Sequence, residues 1–281
     1  MNYIIMIIVG TIILLSGVSA AMYYAYASKS NTDKADAGPI HREGLLASVF
    51  TLSKDNETMT VLKKYYHSDQ NSQNYVIQPA RTLNGPLWLF DSFPKEKKMI
   101  VVPSLQDIED SMDIAEKYSV DVIAYDIEHW QDTPAAEQKN ISNSIMEGAA
   151  LVHASGYQFG VTPDAQFLVE AHQEIDWREV DLLVMQLQRY SADTGQFLSY
   201  TQQIGNHVKR VNPEIELYVQ LSFRFTNADE MIEAIEAAKE HVDGFLIAYL
   251  PSTNNDSCLP YCNPAALDRV LSRIQVLNRM N

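Results

Sequence analysis

Apolar and polar side chains alternate strictly through residues 120–128, Val-Asp-Val-Ile-Ala-Tyr-Asp-Ile-Glu. Ile123, Tyr125 and Ile127 fall on one side, and Val122, Ala124, Asp126 and Glu128 on the other. Period two is the mark of a strand. The pattern recurs in 158–164, where Phe159 and Val161 oppose Thr162 and Asp164. It returns in 182–188, where Leu183, Met185 and Leu187 oppose Gln186 and Gln188, and in 217–224, where Leu217, Val219, Leu221 and Phe223 oppose Tyr218, Gln220, Ser222 and Arg224. Strands are predicted at 45–52, 99–102, 120–128, 157–162, 180–188, 215–222 and 242–249. Helices are predicted at 56–66, 104–118, 134–154, 194–210, 228–241 and 265–279, with one more after 162 that breaks near Asp176. Ser104, Thr133 ahead of Pro134, and Thr226 or Asn227 stand where helix caps belong.

Two short strand candidates, 76–78 and 87–90, flank Asn84-Gly-Pro86. Counting one of them gives eight strand–helix units in residues 44–281, the number of a (β/α)8 TIM-like barrel. Phe90 to Met99 leaves no room for a crossover helix, since parallel strands need a connection of a dozen residues or so. Either 75–79 is the second strand and 83–93 an excursion, or the barrel is irregular there. An open doubly wound sheet is the rival; it usually carries a glycine-rich phosphate turn after its first strand, and 45–56 has none.

Ahead of the barrel, residues 3–27 carry no charge and are dominated by Ile, Leu, Val, Met and Ala, long enough for one transmembrane helix. Tyr23, Tyr24 and Tyr26 suit the lipid–water interface. The rival is a signal peptide cleaved near Ala20, after Val18-Ser-Ala; against it, Met1-Asn2 carries no Lys or Arg and the apolar run continues past the site. Residues 28–43 read as a polar tether. The expectation is a single-pass protein of the cell membrane with its body outside the cytoplasm. Three glycosylation-type triplets, at Asn56, Asn140 and Asn255, agree with that side, whereas Lys29 and Lys34 just after the span favour the opposite topology. The net charge of −15 argues against a nucleic-acid partner. Cys258 and Cys262 lie close together in a proline-containing loop without a nearby histidine, so a local disulfide is expected in place of a zinc site.

Outward strand positions in such a barrel meet the helix ring and must be apolar. The polar set therefore points into the mouth, at the C-terminal strand ends where barrel enzymes keep their sites. Asp126 and Glu128 share one face, about 6.6 Å apart at a rise of roughly 3.3 Å per residue. A polar group buried without a partner costs about 1–3 kcal/mol, so this concentration is better explained by a site than by packing alone. The bland alternative is a hydrogen-bonded polar plug. Trp130 could stack on a ligand face or pack under its loop. No metal and no cofactor is expected, and there is no Gly-x-Ser-x-Gly elbow.

Residues 121–128 resemble the fourth-strand motif DxxDxDxE of family-18 glycoside hydrolases, the chitinases and endo-β-N-acetylglucosaminidases. Asp121, Asp126 and Glu128 occupy three of the four acidic places, and Ala124 stands where the second Asp is expected. The resemblance implies a glycoside hydrolase in which Glu128 is the general acid and Asp126 orients the substrate's N-acetyl group. With that reading, the inward polar residues of the strand alternation, Asp164, Gln186, Gln188, Gln220 and Arg224, together with Trp130 and Tyr249, are expected to surround the carbohydrate. The family's sixth strand usually brings a tyrosine, where this chain has Val184-Met-Gln-Leu-Gln188; its last strand usually has a tryptophan, where this chain offers Tyr249 nearby. Two other readings follow from those departures: a glycan-binding barrel without catalysis, and a structural envelope protein without ligand.

Overall fold

The computed structural model describes residues 45–66, 74–79, 87–251 and 261–278, all within one compact unit. The expected span over 3–27, the tether and Cys258 lie outside the described residues. Among those described, no helix is long and apolar enough to cross a membrane. Cys262 is disulfide-bonded.

Eight parallel strands close a barrel in sequence order: β1 (Leu46–Thr51), β2 (Tyr75–Pro79), β3 (Lys97–Val102), β4 (Val122–Tyr125), β5 (Gln158–Val161), β6 (Leu182–Met185), β7 (Glu216–Ser222) and β8 (Gly244–Tyr249). β8 returns to pair with β1 from Leu46 opposite Gly244 to Thr51 opposite Tyr249. The helices among the described residues are α1 (Asn56–Tyr66), α2 (Trp88–Ser92), α3 (Leu105–Tyr118), α4 (Ala135–Lys139), α5 (Ile141–Ala154), α6 (Ala165–Ala171), α7 (Thr194–Val211), α8 (Ala228–Ala238) and α9 (Pro264–Asn278). The fold is a TIM-like (β/α)8 barrel.

Period two sorts each strand into two apolar layers. Tyr75, Ile77, Met99, Val122, Ala124, Leu182, Val184, Tyr218 and Leu246 pack together inside the barrel. Ile123, Tyr125, Phe159, Leu183, Met185, Leu217, Val219 and Leu221 pack outward with the helix faces. The interior narrows around Gly244, where an added Cβ would lie 2.7 Å from a Tyr218 ring carbon and 2.9 Å from the Leu46 carbonyl oxygen.

Three local expectations are corrected. Residues 88–90 belong to helix α2, with Leu87 preceding it, and not to a strand, so the connection between β2 and β3 carries a short helix. The predicted helix 134–154 is two helices that meet at Asn140, whose φ of −133° leaves the helical region. Thr133 does not cap them; Pro134 precedes α4, and the Thr133 hydroxyl serves the preceding loop. Ser104 and Asn227 do cap α3 and α8, the latter with a reciprocal bond from the Asn227 N–H to the Glu230 carboxylate.

A repeat emerges at the N-terminal strand ends. Asp121, Asp181 and Asp243 immediately precede β4, β6 and β8. Each gives its backbone N–H to a carbonyl of the preceding strand (Lys98, Phe159 and Leu217, at 3.0, 2.9 and 2.8 Å). Each carboxylate then accepts the N–H of that same residue at 2.8 Å. Asn74 does the side-chain half of this ahead of β2, accepting from Ala47 at 2.8 Å. The barrel is thus assembled from four strand–helix–strand–helix quarters, each clasped by an Asp or Asn. His153 pairs with Asp181 at 2.7 Å and Lys209 with Asp243 at 3.1 Å. We expect Asp181→Ala, which strands the N–H of fully buried Phe159, to cost about 1–3 kcal/mol. At about 2–4 °C per kcal/mol for a domain of this size, a thermal melt resolves it. Asp181→Asn, which keeps an acceptor, should recover much of the loss; equal melting of wild type and the alanine variant would dismiss the clasp.

A second stability prediction concerns the contact of α6 with α7. Buried His172 donates from Nδ1 to the Leu168 carbonyl at 2.7 Å, and its ring meets His207 edge to face at 5.3 Å. Burial, then His172, then Arg210 hold the His207 imidazole below its ordinary value of 6.5. The folded state therefore binds fewer protons than the unfolded state once pH falls below 6.5. His207 contributes stability that is present above that pH and is lost as pH falls through the folded value. Melting temperatures of wild type and His207→Gln should converge or cross between neutral and mildly acidic pH. A difference independent of pH would exclude this titration.

Candidate functional site

Asp126 and Glu128 lie just past β4, on the side of Val122 and Ala124, which face the barrel interior. Ladder bonds carry the strand on: Asp126 N–H to the Val102 carbonyl at 2.8 Å, and Thr162 N–H to the Tyr125 carbonyl at 2.8 Å. Gln186 follows β6 on the side of Val184 and is 7% exposed. Its Nε2 donates to Asp126 Oδ1 at 2.9 Å, Glu128 Oε1 at 2.7 Å and the Thr162 carbonyl at 2.9 Å. Two hydrogens serve three acceptors, so one is shared. Thr162 Oγ1 adds a bond to Asp126 Oδ1 at 2.7 Å, and Gln188 Nε2 donates to Gln186 Oε1 at 3.2 Å. The result is a relay in which one buried amide holds two carboxylates at the mouth of the barrel.

The loop after Glu128 is fixed from within. Thr133 Oγ1 accepts from the Trp130 indole at 2.8 Å and from the Glu128 N–H at 3.4 Å. Gln138 Nε2 donates to the carbonyls of Trp130 and Thr133, both at 2.7 Å. Holding a side chain by a second layer of bonds preorganises it for binding or proton transfer. Beneath the loop, the Tyr125 hydroxyl donates to Glu137 at 2.6 Å, and burial together with that carboxylate raises its pKa well above the ordinary phenol range.

The remaining expected site residues are placed differently. Gln220 is half-buried on the interior side of β7, in the row of Tyr218, but makes no hydrogen bond to the carboxylate pair. Arg224 does not pair with the carboxylates. The chain turns after Ser222, with Phe225 N–H on the Ser222 carbonyl at 3.0 Å, so strand parity ends there. Arg224 is exposed and its guanidinium lies over the Phe225 ring at 5.5 Å. Tyr249 is also corrected: it belongs to the outer layer, 1% exposed, edge to face with Phe223 at 5.8 Å. Ala248 takes the inward place on β8, and Tyr249 follows the parity of Phe245 and Ile247. Trp130 is half-buried, with its indole N–H tied to Thr133.

Asp164 has two partners of its own. One oxygen caps α6 through Phe167 N–H at 3.0 Å; the other accepts from the His129 N–H at 2.9 Å and meets His129 Nδ1 at 2.7 Å. Burial pushes this carboxyl up, but the N–H groups of Phe167 and His129 and the His129 ring outweigh it and hold it below the ordinary value. Sequence reasoning passed over His129, Thr133 and Gln138 as site residues. His129 follows Glu128 in the loop past β4, so strand alternation does not decide where its ring points. Among the described residues, no group of three or more His, Cys, Asp or Glu side chains is arranged to hold a metal ion.

No protein-family model and no curated protein matches this sequence. Solved structures do match in fold. A protein assigned as a fructose-1,6-bisphosphate aldolase from Coccidioides immitis aligns with a TM-score of 0.53 at 12% identity, over 84% of this chain and 93% of its own. A protein assigned as an α-L-fucosidase from Bacteroides thetaiotaomicron aligns with a TM-score of 0.53 at 12% identity, over 86% of this chain and 99% of its own. These similarities establish a TIM-barrel fold.

Proposed function

We propose that the barrel mouth is a carbohydrate site and that the protein hydrolyses a glycan containing N-acetylhexosamine. The observation that carries this reading is the Gln186 amide bonded to both Asp126 and Glu128. It fixes two carboxylates side by side at the strand ends where barrels of this type do chemistry. In this reading Glu128 gives its proton to the glycosidic oxygen as the bond to the sugar breaks. Asp126 positions the N-acetyl group, whose carbonyl closes on the anomeric carbon as internal nucleophile, a departure from the two-carboxylate scheme of most glycosidases. Gln188 and Thr162 keep Gln186 and Asp126 in register, and Trp130 offers the apolar surface beside them. The relative assigned as an α-L-fucosidase is a carbohydrate-directed use of the same fold. Incubation of the full chain with chito-oligosaccharides, followed by chromatography of products and calorimetry of binding, tests the reading. Cleavage supports it; absence of both cleavage and binding overturns it.

A second reading is a glycan-binding barrel without catalysis. It is favoured by Ala124, which fills the place of an acid with a methyl group packed in the barrel interior. Under either reading the uncharged segment 3–27 anchors the body to the membrane on its outer side, and Cys258 closes a disulfide with Cys262. Protease added to intact cells would then remove the body, and full protection would reverse the topology.

A further inference from the structure

We propose that His129 and Asp164 form a second proton-transfer group of the mouth, with Nε2 of His129 as the acceptor of a proton from a ligand hydroxyl or a water. The proposal rests on the mouth being a ligand site and leaves open which bond is cleaved. Three observations carry it. First, Asp164 grips His129 twice through one oxygen, by the backbone N–H at 2.9 Å and by ring Nδ1 at 2.7 Å. A carboxylate on Nδ1 places the ring proton there and leaves the lone pair on Nε2. Second, the imidazole lies flat on Phe167, with centroids 3.8 Å apart and planes at 24°. Carboxylate and phenyl ring together fix both the tautomer and the direction of Nε2. Third, the side chain is 41% exposed, and among the described residues Nε2 has no hydrogen-bond partner. A ring held this firmly, with its free nitrogen open, is built to meet something from solvent.

Position adds to the argument. His129 directly follows Glu128, and Asp164 stands just past β5, two residues beyond Thr162, which bonds Asp126. The dyad and the carboxylate pair therefore occupy adjoining strand ends of the same mouth. In the step proposed, the O–H bond of the ligand or water breaks and its electron pair stays on oxygen. The proton joins Nε2, and the imidazolium so formed is stabilised by the Asp164 carboxylate until solvent takes the proton away. Neutral imidazole is regenerated, and no oxidant or co-reactant is needed.

The reactivity of Nε2 in the ligand-free full chain tests the dyad by itself. Diethyl pyrocarbonate attacks the neutral ring nitrogen, and peptide mass spectrometry ranks the histidines by rate. We expect His129 to be modified first and Asp164→Asn to slow it roughly tenfold, the low end of what an outer partner of a working histidine is worth. Asparagine keeps the α6 cap but can turn a donor toward Nδ1, moving the ring proton to Nε2. Long-range ¹H–¹⁵N spectra report that tautomer directly. His129 reacting no faster than the other histidines, or showing the Nε2–H tautomer in the wild type, overturns the proposal whatever the protein cleaves. With chito-oligosaccharide as substrate, His129→Gln should lower hydrolysis by about 10²-fold with unchanged melting temperature. A cleaving wild type whose His129→Gln variant keeps its full rate removes the dyad from the reaction. A reactive His129 in a protein that cleaves nothing sustains the dyad and sinks the hydrolase reading instead.

Discussion

Glu128→Gln will lower hydrolysis of an N-acetylglucosamine oligosaccharide by about 10²–10⁴-fold, the usual worth of a general acid, and leave binding of the oligosaccharide nearly intact. The local geometry makes this substitution clean. Glu128 Oε1 accepts from Gln186 Nε2 at 2.7 Å, and an amide oxygen in the same place can accept the same bond. The backbone stays held, because the Glu128 N–H goes to Thr133 and the loop beyond is fixed by Gln138. What the variant lacks is a proton it can give away. Calorimetry and product analysis on wild type and variant together separate the readings. Both proteins binding and neither cleaving identifies a binding barrel. Neither binding identifies a structural one. A cleaving wild type with an equally fast variant removes Glu128 from the chemistry.

The second large effect belongs to Gln186. Gln186→Leu preserves the approximate volume but withdraws the donor that Asp126 and Glu128 share. A hydrogen bond to a charged group is worth about 1.5–3 kcal/mol, and here one amide serves two carboxylates. Both acids are only half-buried, so water replaces part of the loss. We expect a net destabilisation of about 2–4 kcal/mol, read as a fall in melting temperature of about 5–15 °C. Oligosaccharide binding should fall with it, because the carboxylates lose their fixed positions. Gln186→Glu should do worse, since it sets a third carboxylate against the first two. Melting of the leucine variant within about 1 °C of wild type would show that the amide relay does not hold the site together.

The two predictions test an arrangement that was partly legible beforehand. The side of each strand was readable wherever both faces of the barrel are buried, because a one-residue slip would exchange the interior and helix-facing sets. Val122, Ala124 and Asp126, or Val184 and Gln186, could therefore be assigned to the interior from alternation alone. Past the strand ends that logic fails. Arg224 was assigned to the mouth by running the alternation of 217–224 to its end, and Tyr249 by its nearness to the place where the family carries a tryptophan. A turn at Ser222 releases Arg224 to solvent, and the period of β8 sends Tyr249 outward. His129 lies in the loop past β4, beyond the reach of alternation, and the structure shows its ring held by Asp164 and Phe167. The quarter repeat was also readable in principle. Val-Asp followed by an apolar residue or glycine recurs at 120, 180 and 242, but a two-residue signal at long spacing becomes visible only when the carboxylates are seen to clasp the same backbone positions.

By itself the sequence determined the eight-unit alternation of strand and helix, the cap at Ser104, and the pairing of Asp126 with Glu128 on one face. Each depends on residues within one or two turns of the chain, where periodicity and local hydrogen bonding decide the outcome. Only the tertiary structure decided that Gln186, sixty residues away, bonds both carboxylates, and that Asp164 turns from them to His129. Side chains on β4, β5 and β6 meet only after the barrel closes, and which donor reaches which acceptor depends on register and loop path. No periodicity in the chain encodes either.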